Sequence, residues 1–311
     1  MATTPSPRTW LPAFAVLALV WGNSFLFIKV AVADLHPFQL TLIRVVVGAL
    51  TMLAIILVTR DRLPRGWKLW GHFFAASTVM STIPFTLFGY GETQVSSVLA
   101  AIWNATTPLC TLLFTLVLLK GERPSAGRIG GLVLGFLGVM VVLGVWRPMA
   151  GGAIMGSLAC FIAAASYGLG GVYMRKFLSD RPESGVALSF GQLVAATAQI
   201  LVIAPIMGVS PVPTQAVEPK AWASVLALGA LGTGLAYMLM YRTVRIVGVT
   251  TMSTVTYLLP VVAGVTGVAL LGEHISWNQP VGALVVLAAI ALTQGRFTKK
   301  RAESPVAAGV D

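Results

Sequence analysis

The sequence predicts an all-α polytopic membrane protein, with ten transmembrane helices arranged as two inverted five-helix repeats. Three observations carry this prediction. Of 311 residues, 57% are hydrophobic and only 10% charged, with a mean hydropathy of +0.86; ordinary soluble domains carry about 25% charged residues. Several nearly uncharged stretches reach about 18 residues or more, enough to cross a hydrocarbon core as a helix. Their apolarity is continuous, whereas a barrel strand alternates. The second observation is a repeat. Val95–Glu122, VSSVLAAIWNATTPLCTLLFTLVLLKGE, returns as Val247–Glu273, VGVTTMSTVTYLLPVVAGVTGVALLGE. Pro260 stands for Pro108 and Gly272-Glu273 for Gly121-Glu122, with a single one-residue gap. A duplication at a spacing of about 150 residues, in an apolar chain, points to transporter architecture.

The third observation is the charge distribution, which follows from the elements in order. Residues 1–9 form a polar tail. Helix 1 is expected over about 10–32, and Asp34, His36 and Pro37 turn the chain into helix 2, about 38–58. A basic loop carrying Arg60, Arg62, Arg65 and Lys68 precedes helix 3 (about 69–90, with Pro84) and helix 4 (about 95–118). Lys120, Glu122, Arg123 and Arg128 mark the next loop, and helix 5 spans about 129–146. The first repeat thus covers 10–147, and the Gly/Pro stretch 148–152 is the linker between halves. The second repeat, 153–295, holds helix 6 (about 153–174), helix 7 (about 185–207), helix 8 (about 221–241), helix 9 (about 248–271) and helix 10 (about 280–295). Residues 296–311 form the C-terminal tail. With both tails and every second loop on the cytoplasmic side, 17 of the 21 Lys and Arg fall inside. Arg147 and Lys220 alone fall outside, while Lys29 and Arg44 lie within helices. This is the positive-inside pattern, and it predicts a multi-pass protein of the inner membrane with both termini cytoplasmic. Five helices per half then enter in opposite directions, so the repeat is inverted. Weaker matches accompany it: Trp21–Lys29 (WGNSFLFIK) with Tyr167–Arg175 (YGLGGVYMR), and Thr41–Ala49 (TLIRVVVGA) with Ser189–Thr197 (SFGQLVAAT).

LVWGNSFLFIK near the start, TPLCTLLFTLVLLKGE, and LPVVAGVTGVALLGE in the second half resemble the EamA-type transporters of the drug/metabolite transporter superfamily. The resemblance covers about 13–145 and 153–294, and Tyr167 departs from it where the first unit has Trp21. It implies ten helices with cytoplasmic termini, a central cavity between the units, and export of small metabolites, amino acids or drugs.

The expected cavity walls come from Trp21, Asn23 and Ser24 of helix 1 and from Tyr90, Trp103 and Asn104 of helices 3 and 4. The second half adds Tyr167, Tyr237, Tyr241, Thr256 and Tyr257. Asn104 and Thr256 each stand four residues before a central proline, so one polar face per repeat converges at the midplane; interhelical hydrogen bonding is the alternative use of such residues. Arg44, about two turns into helix 2, costs roughly 2.5–3.5 kcal/mol in a bilayer and is a functional candidate by default. It either faces the cavity, favouring an anionic or zwitterionic substrate group, or pairs with Asp34 or Glu92. Lys29 either shares that role or snorkels outward beside Asp34. Glu92, at the helix 3/4 turn, is read first as a solvated turn residue, with proton coupling as the alternative. Pro108 and Pro260 each remove an amide donor and bend helices 4 and 9. Gly127, Gly131 and Gly135 form a small-residue stripe for close packing, within the chain or in a homodimer.

The remaining classes are excluded or demoted. Cys110 and Cys160 lie in apolar helices without a ligand pattern, and read as core residues. The histidines His36, His72 and His274 sit at separate helix ends, which argues against a membrane-embedded enzyme. No Walker-type loop is present, so ATP drive is not expected. The basic residues cluster between apolar runs, so nucleic acid is not the expected partner; the lipid bilayer and a small-molecule substrate are. No cofactor or metal is called for. A receptor or scaffold that binds without transporting remains the rival reading.

Overall fold

A computed structural model describes residues 7–118, 126–144, 146, 151–178, 181–240, 242–243, 246 and 253–293. Among them all regular structure is helical. Seven helices are long and apolar enough to span a bilayer: α1 (Arg8–Ala31 of the helix Pro7–Ala31), α2 (Pro37–Thr59), α3 (Trp67–Gln94), α4 (Ser97–Leu118), α6 (Gly151–Phe177), α7 (Gly185–Ile206) and α8 (Pro219–Met240). Among the described residues there are also three shorter apolar helices: α5 (Ala126–Leu143), α9 (Leu259–Leu271, after the 3-10 turn Ser253–Tyr257) and α10 (Asn278–Thr293). The Gly121-Glu122 pair, most of the 148–152 linker, Tyr241, residues 1–6 of the N-terminal tail and the C-terminal tail lie outside the described residues, while residues 7–9, expected in the tail, begin α1.

Local chemistry sets the helix ends. His36 caps α2, its Nδ1 accepting from the Phe38 amide while the Gln39 side chain accepts from the His36 amide. Pro37 occupies the first turn, where no amide donor is needed. Ser96 and Ser184 cap α4 and α7 in the same way. Gly272, with φ +64°, closes α9 in the left-handed region that favours glycine.

The proline-bearing helices are both interrupted. α4 consists of Ser97–Asn104 and Thr107–Leu118, with Pro108 in the first turn of the second piece. In α9, Pro260 likewise occupies the first turn of Leu259–Leu271. The third helix of each half carries a feature without any sequence signal: a π-helical segment, Thr78–Thr82 in α3 and Leu228–Leu235 in α8. Such widened turns disturb the backbone ladder and recur at functional positions.

The aromatic-Gly motifs explain how the halves interlock. At Gly22 of α1 an added Cβ would collide with the Val262 Cβ, two residues past Pro260. At Gly168 of α6 it would lie 2.8 Å from the Cys110 Cβ, two residues past Pro108. Each glycine therefore lets its helix press on the proline helix of the other half. Two reciprocal hydrogen bonds cross the same boundary: Trp21 Nε1 donates to Gly232 O (3.1 Å) and Ser166 Oγ to Val79 O (2.9 Å), both acceptors lying in π segments. Of the α5 stripe, Gly135 packs within the chain against Leu109, as does the neighbouring Gly138 against Val286 of α10.

Candidate functional site

A cavity of about 330 Å³ lies at the centre, walled by α1–α4 and α6–α9. Three pairs of equivalent residues from the two halves line it: Trp21 with Tyr167, Arg44 with Gln192, and Asn104 with Thr256. Ser24 and Tyr237 line it too. Seven expected wall residues are thus brought together with several that the sequence left unmarked. Among those, Ser189 and Gln192 fall in the stretch matched to Thr41–Ala49, and the match to Arg44 was the available signal for Gln192. Met80, Phe85 and Phe88 come from the π segment of α3 and the turns after it. The Ser189 and Thr107 hydroxyls are buried, line the cavity and make no hydrogen bond among the described residues.

Arg44 is the cation of this site. It is 7% exposed. Its Nε donates to Thr233 Oγ1 (3.1 Å), in the π segment of α8, and its guanidinium lies 3.5 Å from the centroid of the Phe85 ring. The cation–π contact offsets part of the burial cost, and no ion pair involves Arg44 among the described residues. The expected pairing with Asp34 or Glu92 is therefore replaced by a hydroxyl and an aromatic face. Asp34 instead accepts from the Glu218 amide (2.9 Å).

Lys29, partly exposed, is not among the residues that line the cavity. Its Nζ donates to the main-chain carbonyls of Glu92 (2.6 Å) and Val95 (2.8 Å), tying α1 to the turn between α3 and α4. Glu92 is not a solvated turn residue: it is 0% exposed. The last turn of α3 is pressed onto α6 so tightly that a Cβ on Gly91 would collide with Cys160 Sγ. Neither carboxylate oxygen of Glu92 has a hydrogen-bond partner among the described residues.

Four other expected wall residues sit elsewhere. Trp103 packs edge-on against Phe161 and lines a separate hollow of about 440 Å³ between α4, α5 and α6. That hollow is larger than the central cavity but almost wholly apolar, with exposed Phe136 and Leu158 at its rim. Asn23 donates to Leu19 O in its own helix. Tyr90 is 43% exposed on the surface. Tyr257 packs against the cluster of Leu109, Val286, Ala289 and Ile290. Asn23, Trp103 and Tyr257 each stand one residue from a lining position (Ser24, Asn104 and Thr256), a step of about 100° on an α-helix that redirects the side chain, and Tyr90 stands two residues from Phe88.

The two ends of the cavity differ. Met174 and Met240 near the ends of α6 and α8, with Ser189 and Gln192 near the start of α7, carry it toward that end of the bundle. At the other end, Phe25 meets Phe88 edge-on (5.6 Å between centroids) and Phe88 stacks on Tyr167 (6.0 Å). Beyond these rings a clasp joins the halves: the Glu273 carboxylate accepts from the amides of Ser97 (2.8 Å) and Val98 (3.2 Å) and from the Ser97 hydroxyl (3.0 Å). A carboxylate on the first amides of a helix is favoured by both hydrogen bonding and the helix dipole.

This arrangement has known relatives. The EamA-like transporter family matches twice, over residues 8–144 and 154–294. An uncharacterized transporter of Bacillus subtilis, YoaV, is 23% identical, over 92% of this chain and 96% of its own. The uncharacterized inner membrane transporter YedA of Escherichia coli is 24% identical, over 93% of each. A solved crystal structure superposes with a TM-score of 0.65 at 19% identity, covering 94% of this chain and 100% of that one, a likeness of fold. Two matched units across nearly the whole length, around a shared cavity, settle the classification: the chain is a multi-pass membrane protein that belongs to the EamA-like transporter family.

Proposed function

We propose that this protein is a secondary transporter that exports small organic metabolites bearing a carboxylate, by alternating access of one central cavity. The carrying observation is Arg44, a buried guanidinium in the cavity wall with no ion pair among the described residues. A cation held in this way is the natural partner of a substrate carboxylate, through charge-assisted bonds. Trp21, Phe85, Tyr167 and Tyr237 offer apolar and aromatic surface to the rest of a substrate, and Ser189 and Thr107 offer free hydroxyls. An amphipathic zwitterion of amino-acid type fits this chemistry best.

In this proposal the ten helices cross the inner membrane as inverted five-helix repeats, with both termini in the cytoplasm. The reciprocal contacts Gly22–Val262 and Gly168–Cys110 support such a pseudo-two-fold arrangement. By the positive-inside count, the end toward which the cavity extends is cytoplasmic and the Glu273 clasp is external. A cavity that reaches the cytoplasmic end loads from inside, which supports export. The name of the relative YedA supports the inner membrane.

Purified protein in liposomes preloaded with unlabelled substrate, tested for counterflow of labelled amino acids, other carboxylates and neutral analogues, examines this reading. Saturable counterflow of carboxylate-bearing compounds supports it. Specific binding with no flux of any compound in the panel moves the protein to the receptor class.

A further inference from the structure

Glu92 is unused by the substrate cavity, yet its setting is unusual. The carboxyl is fully buried, and neither oxygen meets a donor among the described residues. An ionised carboxylate without a hydrogen bond in a low-dielectric interior is among the most costly buried groups. The groups facing it from the surrounding elements are otherwise engaged. Lys29 of α1 spends its ammonium on two main-chain carbonyls. Arg44 of α2 is bonded to Thr233 and stacked on Phe85. Glu273, after α9, is bonded to the start of α4, and Cys160 of α6 is a buried thiol. Phe88, one turn before Glu92, lines the cavity, and Glu92 does not.

We propose that Glu92 is a proton-binding site at the clasped end of the bundle, loaded when that end opens and occluded when it closes. Closure carries Glu92 from water into a site that supplies no donor, so the carboxylate takes up one proton and becomes a neutral acid. Acid on that side therefore favours the clasped state, and opening releases the proton. This rests on the alternating-access reading, because it requires the clasped end to open.

The test reads conformation without substrate. Spin labels at Thr93→Cys and Ser276→Cys, two exposed positions on either side of the clasp, in a Cys110→Ala, Cys160→Ala background that adds no donor beside Glu92, report the separation by pulsed electron resonance across about pH 5 to 9. A single short distance in acid should give way to a longer population with rising pH, the ratio changing by up to about tenfold per pH unit for one proton. Glu92→Gln, which mimics the neutral acid, should hold the short distance throughout. Glu92→Asp, which keeps an acid, should retain the pH dependence. Replacing sodium by choline should change nothing, whereas sensitivity to sodium would reassign the site to a metal cation. Distances independent of pH, or equally pH-dependent in Glu92→Gln, overturn the proposal. Failure of the transport reading is distinct: it appears as absent counterflow in the parent protein, whatever the labels report.

Discussion

Two glycines three residues apart in α6 should respond oppositely to the same substitution. An alanine at Gly168 would place its Cβ 2.8 Å from both the Cys110 Cβ and the Thr111 amide nitrogen, and 3.0 Å from the Cys110 carbonyl carbon. Two of these atoms are backbone, so no side-chain rotation relieves the contact and α6 must move off α4. Overpacking of this kind costs at the upper end of the usual range, about 3 kcal/mol. The better helix propensity of alanine returns about 1 kcal/mol. The net loss expected for Gly168→Ala is about 2 kcal/mol. At Gly171 the nearest atom is Thr111 Cγ2 at 3.9 Å, an ordinary contact. Gly171→Ala should therefore be neutral or gain up to about 1 kcal/mol. Unfolding in mixed micelles, followed by tryptophan fluorescence, measures both. Stabilities of the two variants agreeing within about 0.5 kcal/mol would refute the argument that Gly168 exists for helix–helix contact.

The clasp and the α2 cap make further predictions. Glu273→Gln removes a charge from the start of α4 and leaves one acceptor for three donors, so it should cost about 1–2 kcal/mol locally. Hydrogen exchange at the Ser97 and Val98 amides should accelerate about five- to thirtyfold, and unchanged protection would show that the carboxylate does not hold this end. His36 has its pKa lowered by desolvation, so the unfolded chain binds protons more readily than the folded one. Its capping contribution is then present above the ordinary histidine value of about 6.5 and falls away as pH drops below it. His36→Asn, which keeps an acceptor for the Phe38 amide, should flatten that part of the pH–stability curve; an unaltered curve contradicts the assignment of this pH dependence to the His36 ring.

Much of the cavity was legible because duplication supplies a second copy of each position. Asn104 and Thr256 were paired by their distance to a proline, and both line the cavity. Arg44 stood out as a charge within an apolar helix, but Gln192 carried no such signal and only the repeat could have raised it. Facing was harder to read. Lipid is as apolar as a protein core, so hydrophobic periodicity does not separate the cavity side of α4 from the side where Trp103 meets Phe161. The burial of Glu92 had no local mark either: it depends on Gly91 admitting α6, a contact between residues 69 positions apart in the chain. The π segments likewise accept tertiary hydrogen bonds, from Ser166 to Val79 and from Trp21 to Gly232, which no window along the sequence contains.

The central claim is that Arg44 binds a substrate carboxylate in the cavity. Its most direct test is counterflow of an amino acid against its decarboxylated amine in liposomes, with the parent protein and Arg44→Gln. A charge-assisted bond of about 1.5–3 kcal/mol corresponds to roughly a ten- to hundredfold preference for the carboxylate form in the parent, abolished in a folded Arg44→Gln. Equal preference in the two proteins would contradict the account.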